Sequence, residues 1–218
     1  MSISSQRAYS FIKQAILSGK YKSGERLLED IFANELEISR TPVRDALRRL
    51  HAEQLVIVTP YSGARVASWT EAEMKEANDL RIMLESYAAS LAASKRTDEQ
   101  LEKLESLCHE MEVEAAKDTP SLDFISERNV ALHRTVVESA ANSQLSAAIE
   151  PLWNYPRIVR KYGLFGTERL NRSLSHHREI LEAIKTRDPD WASAIMRLHI
   201  LAARSYDTAL LRSQTDEN

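Results

Sequence analysis

The stretch SRTPVRDALRRL, at residues 39–50, decides how the N-terminal third of this chain folds. Its apolar residues Val43, Leu47 and Leu50 stand at positions i, i+4 and i+7, which is the spacing of one buried face of an α-helix. The Thr-Pro pair near its start suits a helix N-terminus, because proline in the first turn lacks only an amide that the helix leaves unused. These features predict a helix over residues 40–53.

Three arginines follow a neighbouring stripe of this helix. Arg40, Arg44 and Arg48 stand at i, i+4 and i+8, and Ser39 and Thr41 lie at the exposed start. When a helix enters the major groove, arginine contacts phosphate or binds O6 and N7 of guanine with two hydrogen bonds. Hydroxyl groups at a helix N-terminus suit phosphate oxygens. The pattern predicts a DNA-contacting surface; the alternative is a solvated face of ion pairs with acidic neighbours.

The elements on either side of this helix have the order of a winged helix-turn-helix. Apolar residues spaced three and four apart predict a first helix over 8–16 and a second, shorter helix within 28–36. After the third helix, two β-rich runs at 55–58 and 64–67 flank a glycine-containing turn, which predicts a hairpin. Gly63 at the hairpin tip allows the close backbone approach to DNA that a wing requires.

Strand signals are lost after residue 70. The sequences TEAE at 70–73 and TDEQ at 97–100 both match a capping box, so helices are predicted to begin near residues 71 and 98. Pro151 and Pro156 are expected to kink or interrupt one of the later helices. Those later helical patterns cover residues 123–140, 143–162, 168–186 and 190–212. The body is therefore predicted to be an all-α bundle of about six helices.

The chain is predicted to be mainly α and to contain two domains. We expect a winged helix-turn-helix in residues 1–68, a linker in 69–74, an all-helical domain in 75–212 and a frayed tail in 213–218. Residues 1–68 carry 10 Lys and Arg against 7 Asp and Glu, whereas residues 69–218 carry 19 against 25. A basic N-terminal domain, here called the head, on an acidic remainder, here called the body, indicates that a polyanion-binding domain is joined to a domain with another role.

The composition excludes several classes of protein. With only 5 Gly and 6 Pro in 218 residues, an all-β sandwich or barrel is disfavoured. No run of about 18 apolar residues is present, so we predict no transmembrane helix. Cys108 is the only cysteine, which excludes an internal disulfide and a cysteine-rich zinc site. A soluble protein of the reducing cytoplasm fits these features best.

Four stretches resemble one protein family. Residues 24–27 (GERL) and 39–50 look like the DNA-binding domain of the GntR family of bacterial transcription regulators. Residues 79–85 (DLRIMLE) and 175–184 (SHHREILEAI) resemble its FadR-type subfamily, which has an all-helical C-terminal ligand domain, the FCD domain. The resemblance implies a homodimer that binds a palindromic operator under the control of a small organic acid. It also assigns DNA contacts to Ser39, Arg40, Thr41, Arg44 and Gly63, and it places Gln54 where a glycine is common.

Histidines and an asparagine of the predicted bundle form a candidate metal site. Asn129 and His133 stand at i and i+4 on one helix, and His177 and His199 lie on two further helices. Side chains from three helices can converge inside a bundle, where three neutral imidazoles suit Zn, Ni, Co or Fe(II). The alternative is a set of buried histidines that only form hydrogen bonds. Of the remaining histidines, His51 and His109 are predicted to lie at the surface. His176 points about 100° away from His177 on an ideal helix, so the two cannot face the same site.

The family resemblance makes the metal prediction more specific. Many FCD domains bind a divalent metal through Asp-x3-His on one helix and one His on each of two others. His133, His177 and His199 match the three imidazole positions, but Asn129 stands at the position of the aspartate. The neutral amide removes one negative charge, which favours Zn or Ni over Mn or Mg. Without a metal, the same imidazoles would bind an anionic effector directly.

Arg81 and Glu85 are the predicted effector-binding residues. Their i, i+4 spacing is that of an ordinary ion pair on a helix surface. By the resemblance, Arg81 instead points into the effector cavity and clamps a carboxylate with two hydrogen bonds. Trp153, Tyr155 and Tyr162 either line this cavity or belong to the plain core.

Three functions are consistent with the sequence. The first is a DNA-binding transcription regulator, a repressor and not an enzyme, whose bundle senses a small carboxylate through a divalent metal. The second is a metal-dependent enzyme that uses the three histidines, with Glu138 or Glu179 as the general base. The third is a DNA-binding protein whose bundle only dimerises.

Overall fold

A computed structural model describes residues 2–59, 63–68, 70–153 and 166–215. The described residues form two compact units, one that ends before Thr70 and one that begins there. The N-terminal unit contains α1 (Ile3–Leu17), β1 (Arg26–Leu27), α2 (Glu29–Leu36), α3 (Arg40–Ala52), β2 (Val56–Thr59) and β3 (Gly63–Val66).

The N-terminal unit is the predicted winged helix-turn-helix. Its three helices pack around fully buried Ile12, Phe32, Leu50 and Leu55, and β3 lies between β1 and β2 in an antiparallel sheet. The strand β1 was not predicted, because its two residues are too few to show a periodicity and it exists only by pairing with β3.

The helix boundaries of this unit differ from the prediction at one end. Helix α1 begins at Ile3 instead of residue 8, because the side chain of Ser2 accepts a hydrogen bond from the Ser5 amide and caps the helix. Gln54, just after α3, has φ of 60°. This left-handed conformation explains why a glycine would suit the position.

The second unit contains six helices in its described part, as predicted. Both capping boxes are present, at Thr70 and Thr97. The buried alanines of α4, among them Ala88 and Ala92, let the other helices approach it closely. These helices are α4 (Glu71–Lys95), α5 (Asp98–Ala115), α6 (Leu122–Ser139), α7 (Ser143–Trp153), α8 (Thr167–Lys185) and α9 (Pro189–Thr215).

Helix α4 begins at Glu71, as its capping box predicts, and it therefore includes most of the segment 69–74 that was expected to be a linker. Helix α9 continues to Thr215, so the predicted frayed tail 213–218 starts as helix. Pro151 lies inside α7, which ends at Trp153. The rest of the predicted helix 143–162, with Tyr155, Pro156 and Tyr162, lies outside the described residues.

None of the helices in the described part of the chain combines the length and the apolar character that a membrane crossing requires.

Candidate DNA-reading helix and histidine site

Helix α3 presents its arginines to solvent. The side chains of Arg40, Arg44 and Arg48 are 61%, 55% and 77% exposed. Ser39 and Thr41 are exposed as well. The neighbouring face of the helix, with Val43, Leu47 and Leu50, is buried in the core. The five predicted DNA-contacting residues of this helix are therefore all accessible, at its N-terminus and along one exposed stripe.

Each of these arginines has an acidic neighbour. Arg40 Nε lies 2.5 Å from Asp30 Oδ1, and Arg44 Nε donates to Glu29 Oε2 at 2.7 Å. Arg48 lies 4.0 Å from Asp45 on its own helix. Exposed pairs of this kind contribute about 0–1 kcal/mol to stability, so they do not prevent the arginines from contacting phosphate or bases. The ion-paired alternative and the DNA-contacting prediction are therefore compatible.

Glu53 and Arg49, unlike the three arginines above, contact residues of α1. The Arg49 guanidinium carbon lies 3.6 Å from the centre of the Tyr9 ring. Glu53 accepts hydrogen bonds from Tyr9 at 2.8 Å, Lys13 at 2.7 Å and Arg49 at 3.3 Å. This cluster ties α1 to the end of α3, which makes Arg49 a structural arginine.

The wing contains basic residues that the sequence did not single out. Gly63 begins β3 with φ of 84°, a conformation that favours glycine. A Cβ at this position would lie 3.8 Å from the Arg26 guanidinium. Arg26 pairs with Arg65 across β1 and β3, and both side chains are exposed. Only the strand pairing shows that these two arginines lie beside the predicted wing tip.

Three histidines of the second unit converge in its interior. His133 on α6, His177 on α8 and His199 on α9 are buried, and each offers a ring nitrogen within 4.8 Å of the other two. His133 Nε2 and His199 Nε2 are 3.2 Å apart. Asn129 is also buried and lies four residues before His133 on α6. The predicted convergence of the three imidazoles is present.

The chemistry of His177 fits a cation better than a hydrogen-bonded core histidine. Burial lowers its pKa well below the ordinary value of 6.5, and His133 and His176 lower it further. The ring is therefore neutral at pH 7 and carries a lone pair. Both of its nitrogens are buried, and neither has a hydrogen-bond partner among the described residues. Such an uncompensated buried polar group is costly unless something binds it.

Glu85 organises this site from α4. Its carboxylate accepts hydrogen bonds from Arg81 Nε at 2.7 Å, Trp153 Nε1 at 3.2 Å and His133 Nδ1 at 2.5 Å. In the neutral form of His133, donation from Nδ1 to Glu85 leaves the lone pair on Nε2, which lies toward the other histidines. The Arg81–Glu85 pair is buried, at 9% and 1% side-chain exposure, so the ordinary surface ion pair is excluded.

The charges around Glu85 keep it ionised. Burial by itself would raise its pKa, but the charges of Arg81 and His133 and their hydrogen bonds outweigh burial and lower the pKa to about 2. A carboxylate with a lowered folded-state pKa stabilises the fold above its unfolded pKa of about 4.3. This contribution is lost as the pH falls from there toward 2. Glu85 therefore supplies a permanent negative charge at neutral pH.

Comparisons with known proteins identify the two units. A model for bacterial regulatory proteins of the gntR family matches residues 4–66, and an FCD domain model matches residues 76–202. The chain belongs to the GntR family. The resemblance predicted from the four stretches is thus confirmed, together with the predicted fold class.

The relatives of this GntR-family chain are transcription regulators. The uncharacterized HTH-type transcriptional regulator YdhC of Bacillus subtilis (strain 168) is 28% identical over 209 residues, which cover 96% of this chain and 91% of that protein. The gluconate operon transcriptional repressor of Bacillus licheniformis is 29% identical over 194 residues, which cover 82% and 74%. The structure of E. coli McbR/YncC superposes with a TM-score of 0.79 at 24% identity, covering 99% of this chain and 100% of that one.

The remaining predicted residues of this GntR-family chain do not belong to the three-histidine cluster, although His176 contacts it. His51 and His109 are exposed, as predicted, and His176 packs edge-on against His199 with ring centres 5.8 Å apart. The two candidate general bases of the enzyme hypothesis, Glu138 and Glu179, are exposed. Neither glutamate is therefore placed like a general base of a buried metal centre.

Proposed function

We propose that this chain is a cytoplasmic repressor of the GntR family whose FCD domain senses a small carboxylate through a divalent cation. The observation that carries the proposal is the buried triad of imidazoles, in which both nitrogens of His177 lack a hydrogen-bond partner within the described residues. The exposed arginines of α3 supply the DNA-binding half. Relatives that are named repressors, among them the gluconate operon repressor of B. licheniformis, support the direction of regulation.

The DNA contacts are assigned to the residues of α3 and the wing. Arginines on the exposed face of α3 would read guanine or bind phosphate in the major groove, while Ser39 and Thr41 would bind phosphate near the helix N-terminus. Gly63 would bring the wing backbone to the DNA. A homodimer would place two such helices on the two halves of a palindromic operator.

The cation would be held by His133, His177 and His199, with the Asn129 amide oxygen as a fourth ligand. Three imidazoles and one neutral amide suit Zn or Ni better than Mn. When bound, the metal supplies positive charge and open coordination positions for an effector carboxylate. Glu85 fixes the orientation of His133 through Nδ1, which is the role that carboxylates commonly have behind metal-binding histidines.

Arg81 is the side chain that we assign to the effector carboxylate itself. It uses Nε for Glu85, and its two terminal nitrogens provide the paired N–H groups that bind a carboxylate. Glu85 already accepts hydrogen bonds from three donors, so we assign it to positioning Arg81 and His133 rather than to the effector. Gluconate, after whose operon one relative is named, is itself a carboxylate.

The effector regulates DNA binding only if it binds one dimer arrangement more tightly than another. The coupling between the two sites is then a difference in affinity, and it acts equally in both directions. For a repressor of this kind, we expect the effector to favour an arrangement in which the two heads no longer match the half-site spacing.

An exposed apolar stripe on α4 supports the homodimer. Leu80, Met83 and Tyr87 are 49%, 67% and 53% exposed and stand at i, i+3 and i+7 on one side of the helix. We expect Met83→Glu/Tyr87→Glu to convert the dimer into a monomer at micromolar concentration, because two charges would be buried without partners. Light scattering after size exclusion measures this, with exposed Val113→Glu on α5 as the control. A double variant that keeps the dimer mass would contradict the assignment.

The asparagine at position 129 predicts which cation binds. Asn129→Asp is expected to tighten Mn(II) binding at least 10-fold and Zn(II) binding less, because a carboxylate suits a hard cation better than an amide does. Competition with a chelating dye measures both affinities. Asn142→Asp, which adds the same charge in the turn before α7, is the control. Unchanged Mn(II) affinity in the Asn129 variant would remove this residue from the site.

A direct experiment separates the three functions. We would measure the metal content of the purified chain, and then its thermal unfolding with and without a panel of organic acids that includes gluconate. Ligand-dependent stabilisation without conversion of the acid is the expected result. Conversion of the acid would support the enzyme, and a chain that binds neither metal nor acid would be a DNA-binding protein whose bundle only dimerises.

A further inference from the structure

Two acidic residues at the start of α2, Glu29 and Asp30, form ion pairs with Arg44 and Arg40, which we call the recognition arginines. Asp30 engages Arg40 through Nε at 2.5 Å, and Glu29 engages Arg44 through Nε at 2.7 Å. Both carboxylates come from the neighbouring helix, and Nε is the nearest guanidinium nitrogen in both pairs; for Arg44 this contact is a hydrogen bond. The side chains are between 31% and 61% exposed, so the pairs lie at the surface that would face DNA.

Stability does not account for these two pairs. Exposed ion pairs contribute little to the free energy of unfolding. Their effect on DNA binding is larger, because each carboxylate cancels one of the charges that attract phosphate. A DNA-binding head that neutralises its own recognition arginines lowers its affinity for every DNA sequence alike.

The choice of nitrogen makes the pairs useful for sequence recognition. A guanidinium presents its donors in a rigid planar fork. When Nε is bound to a carboxylate, the two terminal nitrogens remain as the pair that binds O6 and N7 of guanine. The carboxylate also restricts the arginine to few rotamers before DNA arrives, which lowers the entropic cost of binding.

We infer that Glu29 and Asp30 are specificity-determining residues, which position Arg44 and Arg40 for guanine and weaken their attraction to phosphate. The inference rests on the proposed operator recognition by α3. It assigns a role in base selection to two residues of α2 that need not touch DNA themselves.

The test compares the full-length parent with Glu29→Gln, Asp30→Asn and the double variant. The operator probe is a duplex that the parent selects from a random pool, and the second probe is a scrambled duplex of the same composition. Fluorescence anisotropy gives both affinities at several salt concentrations. Glu35→Gln is the matched control, because Glu35 also lies on α2 but pairs with Lys20 at 3.0 Å instead of a recognition arginine.

For the double variant we expect the ratio of operator to scrambled affinity to fall at least 10-fold. Scrambled DNA should bind about 10-fold more tightly, and its log–log salt slope should steepen by about 2, since each released arginine gains about one phosphate. Glu35→Gln should leave the ratio unchanged. Equal changes in both affinities, or the same loss of ratio in the control, would overturn the inference. A parent that selects no sequence overturns the proposed operator recognition, and this inference with it.

Discussion

Arg44→Ala is expected to weaken operator binding by about 100-fold while the chain stays folded. A bidentate contact between arginine and guanine contributes about 1–3 kcal/mol of discrimination, and the lost charge also removes attraction to phosphate. Arg44 is 55% exposed and its partner Glu29 lies on the surface, so the substitution leaves no buried group unpaired. Anisotropy with the selected operator duplex at several salt concentrations measures the loss.

Arg7→Ala is the matched control for this experiment. Arg7 is an exposed arginine on α1 of the same unit, so its removal changes the net charge equally without touching α3. It is expected to change operator affinity less than 3-fold, as screened charges outside the interface do. If Arg44→Ala retained the operator affinity of the parent, α3 would not be the reading helix.

His177→Ala is expected to abolish stabilisation by zinc. A cation present at 100 times its dissociation constant stabilises the folded state by about 2.7 kcal/mol, which raises Tm by roughly 7 °C for a domain of this size. His177 contributes one of only three imidazoles and is 1% exposed, so its loss leaves two histidines and an amide. Thermal unfolding of the stripped protein with and without added zinc measures the shift.

The quantity compared is the zinc-dependent shift, because the substitution itself also leaves a cavity. His109→Ala, on the exposed face of α5, should keep the full shift of the parent. His199→Gln, which keeps more of the side-chain volume, should lose it like His177→Ala. An unchanged shift in both site variants would show that zinc binds elsewhere.

The recognition helix was predictable because its pattern is local. Val43, Leu47 and Leu50 fix the buried face of α3, and the exposure of Arg40 and Arg44 follows from their positions on the same helix. The pairing of these arginines with α2 was not predictable, since Glu29 lies 15 residues from Arg44 and meets it only in the folded head. Helix periodicity predicts which face of a helix is exposed, but it does not predict which side chains of another helix contact that face.

The histidine site was predictable only in part. The three imidazoles were expected to converge from three helices, and they do. The role of Glu85 was missed, because its contact with His133 joins residues 48 positions apart. Its i, i+4 relation to Arg81 also matches a common surface pair, and only burial distinguishes the two cases. The role of Trp153 could not be predicted either, because its indole nitrogen on α7 contacts Glu85 on α4 only in the folded chain.

The most direct test of the account measures operator affinity while the organic acid that most stabilises the zinc-loaded protein is titrated in. We predict that this acid weakens operator binding at least 5-fold in the zinc-loaded parent, the lower end of typical allosteric couplings, and has no effect on His177→Ala. An equal response of the parent and the variant would contradict the account, because the acid would then act without the three histidines.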